Sequence, residues 1–167
     1  MKGMAYAVLF VVVSTIILGP FVECFQLITE KARLDSTINN CGKLAVMTSS
    51  EDSKARDMES EIDLEKFMEV FGSSFAAGLN LWVEDSTVTH LLDTKEGIIH
   101  FKSNDGRYND FAVYLTINNK RPNQCEVSVI SKYKFKTKHL AFIETHLPAF
   151  TDFNLERKSR FVLEQIN

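Results

Sequence analysis

The sequence lacks the short motifs that point most directly to catalysis. It contains no nucleophile elbow, no glycine-rich phosphate loop, no zinc-binding His-Glu-x-x-His run and no calcium-binding loop. Only seven glycines are present, so few positions can form the tight backbone turns on which such sites are built. These absences weaken the case for an enzyme, and we expect no catalytic residue set, no cofactor and no metal site.

Ionisable side chains are missing from a long stretch near the N-terminus. No acid or base occurs between Lys2 and Glu23, and most of that stretch is apolar. One cation followed by an apolar run is typical of a secretory signal, and Gly19-Pro20 is expected to end its helix. The same run is long enough to cross a bilayer as a retained anchor. Residues 1–24 are therefore predicted to be a signal peptide or a signal anchor.

Both interpretations place the rest of the chain on the same side of a membrane. Lys2 is expected to hold the N-terminus in the cytoplasm, which makes the following residues secreted or lumenal. If the segment is removed, the cut is expected between Cys24 and Phe25. The net charge of −3 is unchanged by that cut, because Lys2 and Glu23 are lost together. Nothing in this charge balance indicates a nucleic acid partner.

Cysteine is scarce, with residues 24, 41 and 125 the three in the chain. Cleavage after Cys24 would leave an even pair in an oxidising compartment. We therefore predict a Cys41–Cys125 disulfide, which would tie the N-terminal segment to the sheet. The alternative is two unlinked, buried thiols.

After residue 24 the chain changes character twice. Residues 25–60 are interpreted as an N-terminal extension that ends in a polar loop over residues 48–60, and residues 61–167 as a single domain. A helix is predicted over residues 61–78, with Ser60 near its start and Gly78 near its stop. Its apolar side chains recur at spacings of three and four, which places them on one face: Leu64, Phe67, Met68, Phe71, Phe75 and Leu79.

Between residues 81 and 135 the apolar period drops to two, with turn signals that separate successive strands. The sequence predicts an α+β fold: a one-sided antiparallel meander of about four to five strands. Its apolar face is expected to be covered by the 61–78 helix and by a C-terminal helix over about residues 154–166. The residues predicted to face inward from the strands are Ile99, Phe101, Phe111, Val113, Leu115, Ile117, Cys125, Val127, Val129, Tyr133 and Phe135.

Two features of the sequence could provide a ligand-binding site. Lysines at alternating positions form a stripe that could meet an anionic headgroup, a polyanionic glycan or an acidic partner, or could simply keep a sheet edge soluble: Lys132, Lys134, Lys136 and Lys138. The thirteen phenylalanines could enclose an apolar pocket or form a filled core.

Three segments resemble a known family: Gly42-Lys43-Leu44, the strand over residues 128–135, and residues 151–157. The order of these segments is similar to the small membrane-associated family called domain of unknown function 1499. Thr151-Asp152, Asn154 and Arg157 stand where that family has Ser-Asp, Asn and Arg, whereas lysines replace the arginines of its strand. The resemblance implies a membrane-linked, non-catalytic α+β module with a terminal helix.

These observations lead to two hypotheses about function. The first is a non-catalytic binding module, secreted or facing a lumen, for a lipid, a small ligand or a protein. The alternative is an accessory or structural subunit of a membrane complex, anchored by an uncleaved N-terminal helix.

Overall fold

In the part of the chain that the structure describes, two long helices pack with one sheet. The computed structural model describes residues 2–54, 62–90, 94–106, 108–118, 124–133, 146 and 154–162. The five strands follow one another across the sheet in the order β1-β2-β3-β4-β5, and each neighbouring pair is antiparallel. The predicted α+β fold with a five-stranded meander is confirmed. The elements are α1 (Lys2–Lys54), α2 (Leu64–Leu79), β1 (Leu81–His90), β2 (Thr94–Ser103), β3 (Tyr108–Asn118), β4 (Gln124–Tyr133) and β5 (Asn154–Val162).

Helix α1 is much longer than the sequence pattern indicated. It continues through Pro20, so the prediction that Gly19-Pro20 ends a helix is wrong. Proline lacks the N–H that would bond the carbonyl four residues earlier in the helix. Membrane-spanning helices tolerate this loss where neighbouring groups bond that carbonyl instead. Residues 25–54 are also helical, which corrects the interpretation of residues 48–54 as a loop. Residues 55–60 of that predicted loop lie outside the described residues.

The C-terminal half of α1 is part of the folded core. Its buried side chains recur every three, four or seven residues, which is the period of one helical face. Arg33 donates from Nη2 to the Gly78 carbonyl of α2 at 2.9 Å, and Asp35 forms an ion pair with Arg157 of β5. The apolar residues of this face are Leu27, Leu34, Ile38, Cys41 and Ala45.

The second helix begins and ends close to the predicted positions. Asp63, rather than Ser60, is the N-cap, and its side chain accepts a hydrogen bond from the Glu65 N–H at 3.0 Å. The helix continues past Gly78 and stops at Asn80, whose left-handed backbone (φ 56°) closes its last turn onto Ala76. The apolar stripe predicted for this helix is buried as expected.

The core lies between the helices and the inner face of the sheet. Phenylalanines dominate it: Phe75 of α2 contacts Phe71, Phe101 and Phe111, with ring centroids 5.4, 5.3 and 5.9 Å away. The inward positions predicted for β2 and β3 are all buried, as are Cys125, Val127 and Val129 of β4. Phe135 lies outside the described residues, and the structure does not describe the side chain of Tyr133.

The last described segment is a strand, so the predicted C-terminal helix over residues 154–166 is wrong for residues 154–162. β5 pairs with β4 from Lys132↔Asn154 to Gln124↔Val162. Leu155 is buried and Phe161 packs against the core, whereas Val162 is exposed. Among the described residues the sheet is covered by α1 and α2, and the terminal helix implied by the family resemblance does not form over residues 154–162.

Candidate functional site at the junction of helix and sheet

The N-terminal half of α1 is apolar, and most of its side chains are exposed. An 18-residue window within it reaches a mean hydropathy of 2.3 with none of its residues buried, and α1 is long enough to cross a membrane. Large apolar side chains such as Phe10 and Ile17 are more than half exposed. We call residues 3–22 the apolar half of α1, and residues 23–50 its packed half.

The two halves meet without a linker. Val22, the last residue of the apolar half, is 52% exposed, whereas Glu23 is only 2% exposed and Leu27 only 8%. Burial of a carboxylate this complete requires interactions that compensate for lost hydration, and Glu23 is among the residues with such a partner. One face of α1 is therefore buried from directly after the apolar half, while Phe25 and Ile28 on its other faces stay exposed.

The direction of β5 decides which end of the sheet lies beside this junction. Arg157 pairs with Asp35 at 2.9 Å, Ser159 donates to Asn39 at 3.4 Å, and an added Cβ at Gly42 would overlap the Phe161 ring. Residue numbers rise together along both elements, so β5 runs parallel to α1. The start of β5 and the end of β4, which pairs with it, are consequently the parts of that strand pair nearest the apolar half.

One row of the sheet marks this end, which we call the near end. Register places Trp82 opposite Lys102 on β1 and β2, and Lys132 opposite Asn154 on β4 and β5. Trp82 and Lys102 lie on the outer face, away from the helices, because the neighbouring Phe101 is buried. The turn between β2 and β3 is at the same end, since Asn104 donates its N–H to the Asn80 carbonyl at 3.2 Å.

Trp82 and Lys102 form a small polar and aromatic cluster. The ammonium of Lys102 lies 5.6 Å from the centroid of the Trp82 ring, within the range of a cation–π contact. Lys102 also donates to the Glu84 carboxylate, and this bond holds the pKa of the ammonium above its usual range. Trp82 remains 46% exposed. Sequence patterns did not single out these residues, although Trp82 is the only tryptophan in the chain.

The predicted lysine stripe begins at the near end. Lys132 is in β4, one residue before its last position. Lys134, Lys136 and Lys138 lie outside the described residues, so the stripe stays a prediction. A second cationic cluster, not predicted from the sequence, lies on β5: Lys158 and Arg160 both bond the Glu126 carboxylate.

The two candidate disulfide cysteines are both buried, but they are free thiols. The predicted Cys41–Cys125 disulfide is therefore not present in the structure, which corresponds to the alternative of two unlinked thiols. Burial raises the pKa of Cys41 and raises that of Cys125 to about 12. Both thiols are consequently protonated at neutral pH, the state in which cysteine is a poor nucleophile.

The phenylalanines occupy the space in which an apolar pocket was considered. Phe67, Phe71 and Phe75 stack along α2 with successive centroids 5.9 and 5.4 Å apart, and all three are completely buried. Contacts at these distances are those of a packed core. Within the described ranges, no group of three or more His, Cys, Asp or Glu side chains is arranged to hold a metal ion.

Comparisons with known proteins find no relative from which function could be carried over. No family model matches the chain, and neither the curated proteins nor the solved structures contain a match. The resemblance to the family called domain of unknown function 1499 therefore stays a prediction.

Proposed function

We propose that this protein is a non-catalytic accessory module of a membrane, anchored by an uncleaved α1 and held directly at the bilayer surface. One observation carries this proposal: α1 is unbroken from its apolar half to its packed half. The position expected for cleavage, between Cys24 and Phe25, lies inside this helix. A cut there would also remove Glu23, which is buried in the folded domain.

The same continuity supports an accessory role rather than a freely moving one. A helix rises about 1.5 Å per residue and transmits orientation along its length, whereas a flexible linker would let a domain turn freely. With no linker at Glu23, the orientation of the sheet relative to the bilayer is set by α1. A domain held in this way suits a fixed place in a membrane assembly.

A non-catalytic role is supported by the way the core uses its reactive side chains. Both buried cysteines are protonated, and the phenylalanines pack against one another. Partners remain a matter of proposal: a lipid, a small ligand or a protein, with the lysines at 132, 134, 136 and 138 as the candidate anionic-ligand face.

The second candidate is a secreted or lumenal binding module released by cleavage. It is favoured by the single cation and apolar run at the N-terminus, which match a signal peptide. Both candidates place the sheet on the extracytoplasmic side, so topology alone does not separate them. Retention of residues 1–24 does.

Two measurements on the full chain test this proposal. We expect the protein to stay with membranes after alkaline carbonate extraction, whereas a chain starting at Phe25 should be released.

The second measurement adds an N-glycosylation acceptor as a C-terminal tag. The tag is preferred to an acceptor built into β2 by Lys95→Asn with Gly97→Thr, because Gly97 is buried beneath Met68. The natural chain has no Asn-x-Ser/Thr acceptor, so glycosylation of the tag would report a lumenal domain, and its absence would contradict that side.

A further inference from the structure

We propose that two copies of this chain pair in parallel through one exposed face of α1, at and just above the surface of the bilayer that both helices cross. This inference rests on the proposed function, because parallel pairing requires both copies to keep α1 as an anchor. It names the partner of that helix as a second copy of the chain. We call the following residues the seam: Leu18, Phe21, Phe25, Ile28 and Ala32.

The seam is an apolar face of α1 that remains exposed beside the folded domain. The side chains of Phe21, Phe25 and Ile28 are all more than half exposed. The first two contact each other edge to face with ring centroids 5.1 Å apart, so they project from the same side of the helix. Glu23 and Leu27 are buried and lie roughly 150° away around the helix. The domain therefore covers one side of α1 and leaves an apolar stripe on the opposite side.

The upper part of the seam lies too far from the hydrocarbon to be covered by lipid. The twenty residues from Gly3 to Val22 rise about 30 Å, which equals the thickness of the hydrocarbon core. Ile28 is about 9 Å further along the helix and Ala32 about 15 Å further, beyond a headgroup layer of about 5–8 Å. Fitting the helix from Gly3 to Ala32 into the hydrocarbon would need a tilt of about 46°, outside the usual range of about 0–40°. A protein surface is therefore required to cover Ile28.

The spacing and charge of the seam fit a parallel helix pair. Its residues recur at intervals of three and four, the spacing with which two helices wrap around each other. Every face of the apolar half is apolar, so this pattern distinguishes one face only beyond Val22. There the seam carries no acid or base. Its flanking positions are Cys24, Thr29 and Lys31, and in a parallel pair Lys31 meets Ser36 of the second copy rather than a like charge.

The remaining charges near the seam are engaged within the protein's own domain. Arg33 donates to a carbonyl of α2, and Asp35 forms an ion pair with Arg157. Asp35 and Asn39 continue the seam spacing, but both contact β5. The contact between β5 and α1 thus limits the seam to the helix up to Ala32, and a symmetric pair brings no like charges together along it.

A second copy fits the seam because it presents the same face at the same height. The same N-terminal segment inserts both copies in one orientation, so a two-fold axis along α1 places identical residues opposite each other. Any other partner would need an apolar face that rises equally far above the hydrocarbon. Ser14 precedes Phe21 by seven residues and lies near the middle of the bilayer, where its hydroxyl can donate to the facing helix.

Cysteine crosslinking of the full chain provides the test. The exposed Cys24 is replaced by alanine, and single cysteines are introduced as Ile28→Cys or Ala32→Cys. The control is Gln26→Cys, which is exposed but lies off the seam. Each protein is reconstituted into phosphatidylcholine vesicles at a low protein-to-lipid ratio and oxidised with copper phenanthroline. We expect disulfide-linked dimers at 28 and 32, and none at 26 or in the Cys24→Ala parent, whose two remaining thiols are buried. Equal crosslinking at all three positions, or none at any, would overturn the proposal.

Lipid dilution measures the strength of the pair. Energy transfer between labelled copies is followed as the vesicle lipid is increased, which gives a dissociation constant per lipid. Phe25→Gln with Ile28→Gln should raise this constant by about tenfold or more. The matched control is Leu44→Gln with Met47→Gln, two exposed apolar residues of α1 beyond the seam, which should leave it unchanged. All four side chains are exposed, so unfolding of the domain should be the same in both variants. Equal weakening by both variants would show that the seam is not the contact.

The outcomes distinguish the pair from the anchor. If the protein does not float with vesicles, the anchor is wrong and the pairing fails with it. If the protein floats but shows neither crosslinking nor energy transfer, the second copy is wrong and the anchor stands. A photo-crosslinker placed at Ile28 that captures a different protein alone in the cellular membrane would also overturn the second copy as the partner.

Discussion

The two halves of α1 form one continuous helix but differ in the exposure of their apolar side chains. The side chains of Phe10 and Ile17 in the apolar half are more than half exposed. Those of Leu34 and Ile38 in the packed half are at most 1% exposed. A helix that is apolar all round requires an apolar environment, whereas one with a single apolar stripe is completed by its own domain. Apolar exposure along α1 therefore changes near Glu23, and under the proposed function the apolar half lies in the bilayer while the packed half belongs to the domain.

The largest expected effect comes from truncating a phenylalanine of the core, and a phenylalanine of the apolar half provides the comparison. Phe75→Ala removes a ring in contact with three others and should lower the free energy of unfolding by about 3–5 kcal/mol. Phe10, 74% exposed, should give no change in the unfolding of the domain when replaced by alanine. Denaturant unfolding of the full chain in detergent micelles measures both. Equal effects would mean that the two halves do not differ as described.

Alkaline pH should destabilise the domain through the buried thiol of Cys125. An exposed thiol ionises near pH 9.0, whereas burial raises the pKa of Cys125 to about 12. Above pH 9 the unfolded chain therefore loses this proton first, so stability falls as pH rises from 9 to 12, by up to about 4 kcal/mol. Stability below pH 9 is unaffected by this group.

Alanine variants of Cys125 and Cys24 test whether the pH dependence comes from Cys125. Cys125→Ala should abolish that part of the pH dependence, and Cys24→Ala should keep it. Alkylation of the protein unfolded without reductant should label all three cysteines, and labelling of Cys24 alone would show that the Cys41–Cys125 disulfide forms after all.

Two glycines of α1, one in each half, test the difference by adding a methyl group. An alanine Cβ at Gly42 would overlap the Phe161 ring, whereas Gly3 has nothing near its Cβ position. We expect Gly42→Ala to destabilise the domain by about 1–3 kcal/mol through overpacking, reduced by up to about 1 kcal/mol because alanine favours helix over glycine. Gly3→Ala should leave domain unfolding unchanged. Adding Phe161→Leu to Gly42→Ala should recover part of the loss, and no recovery would assign the effect to another contact.

The smallest expected effect concerns the ion pair that joins the packed half to β5. Asp35 and Arg157 are each about 40% exposed, so a double-mutant cycle with Asp35→Asn and Arg157→Gln should give a coupling of about 0.2–1 kcal/mol that weakens with added salt. Lys158 and Glu126, which pair within the sheet, provide a matched cycle. A coupling well above this range at Asp35 would mean that the contact between α1 and β5 is stronger than an exposed pair.

The sequence predicted the central strands well because their two faces meet different environments. Along β3, Phe111, Val113, Leu115 and Ile117 are buried while Tyr114 between them is exposed. Such alternation is the direct signature of a sheet with one covered face.

The terminal strand was mistaken for a helix because its inner face is not uniformly apolar. Leu155 and Phe161 face inward, but between them Arg157 and Ser159 meet Asp35 and Asn39 of α1. Polar partners on α1 thus hide the period of two. The apolar spacing of Leu155, Val162 and Ile166 then matches a helix by coincidence.

The extent of α1 was missed for a different reason. The buried stripe from Leu27 to Ala45 does have helical spacing, yet it includes small and polar residues and follows Gly19-Pro20, a pair that usually ends helices. The near-end row could not be predicted at all, because it depends on the direction in which β5 runs beside α1. That direction follows from contacts between residues more than 100 positions apart, which no local pattern contains.

The intact mass of the protein recovered from its cellular membranes tests the account most directly. A retained anchor predicts a chain that includes residues 1–24 and carries no internal cut between Cys24 and Phe25. A mature protein that begins at Phe25 and is found in the soluble lumenal or secreted fraction would contradict it.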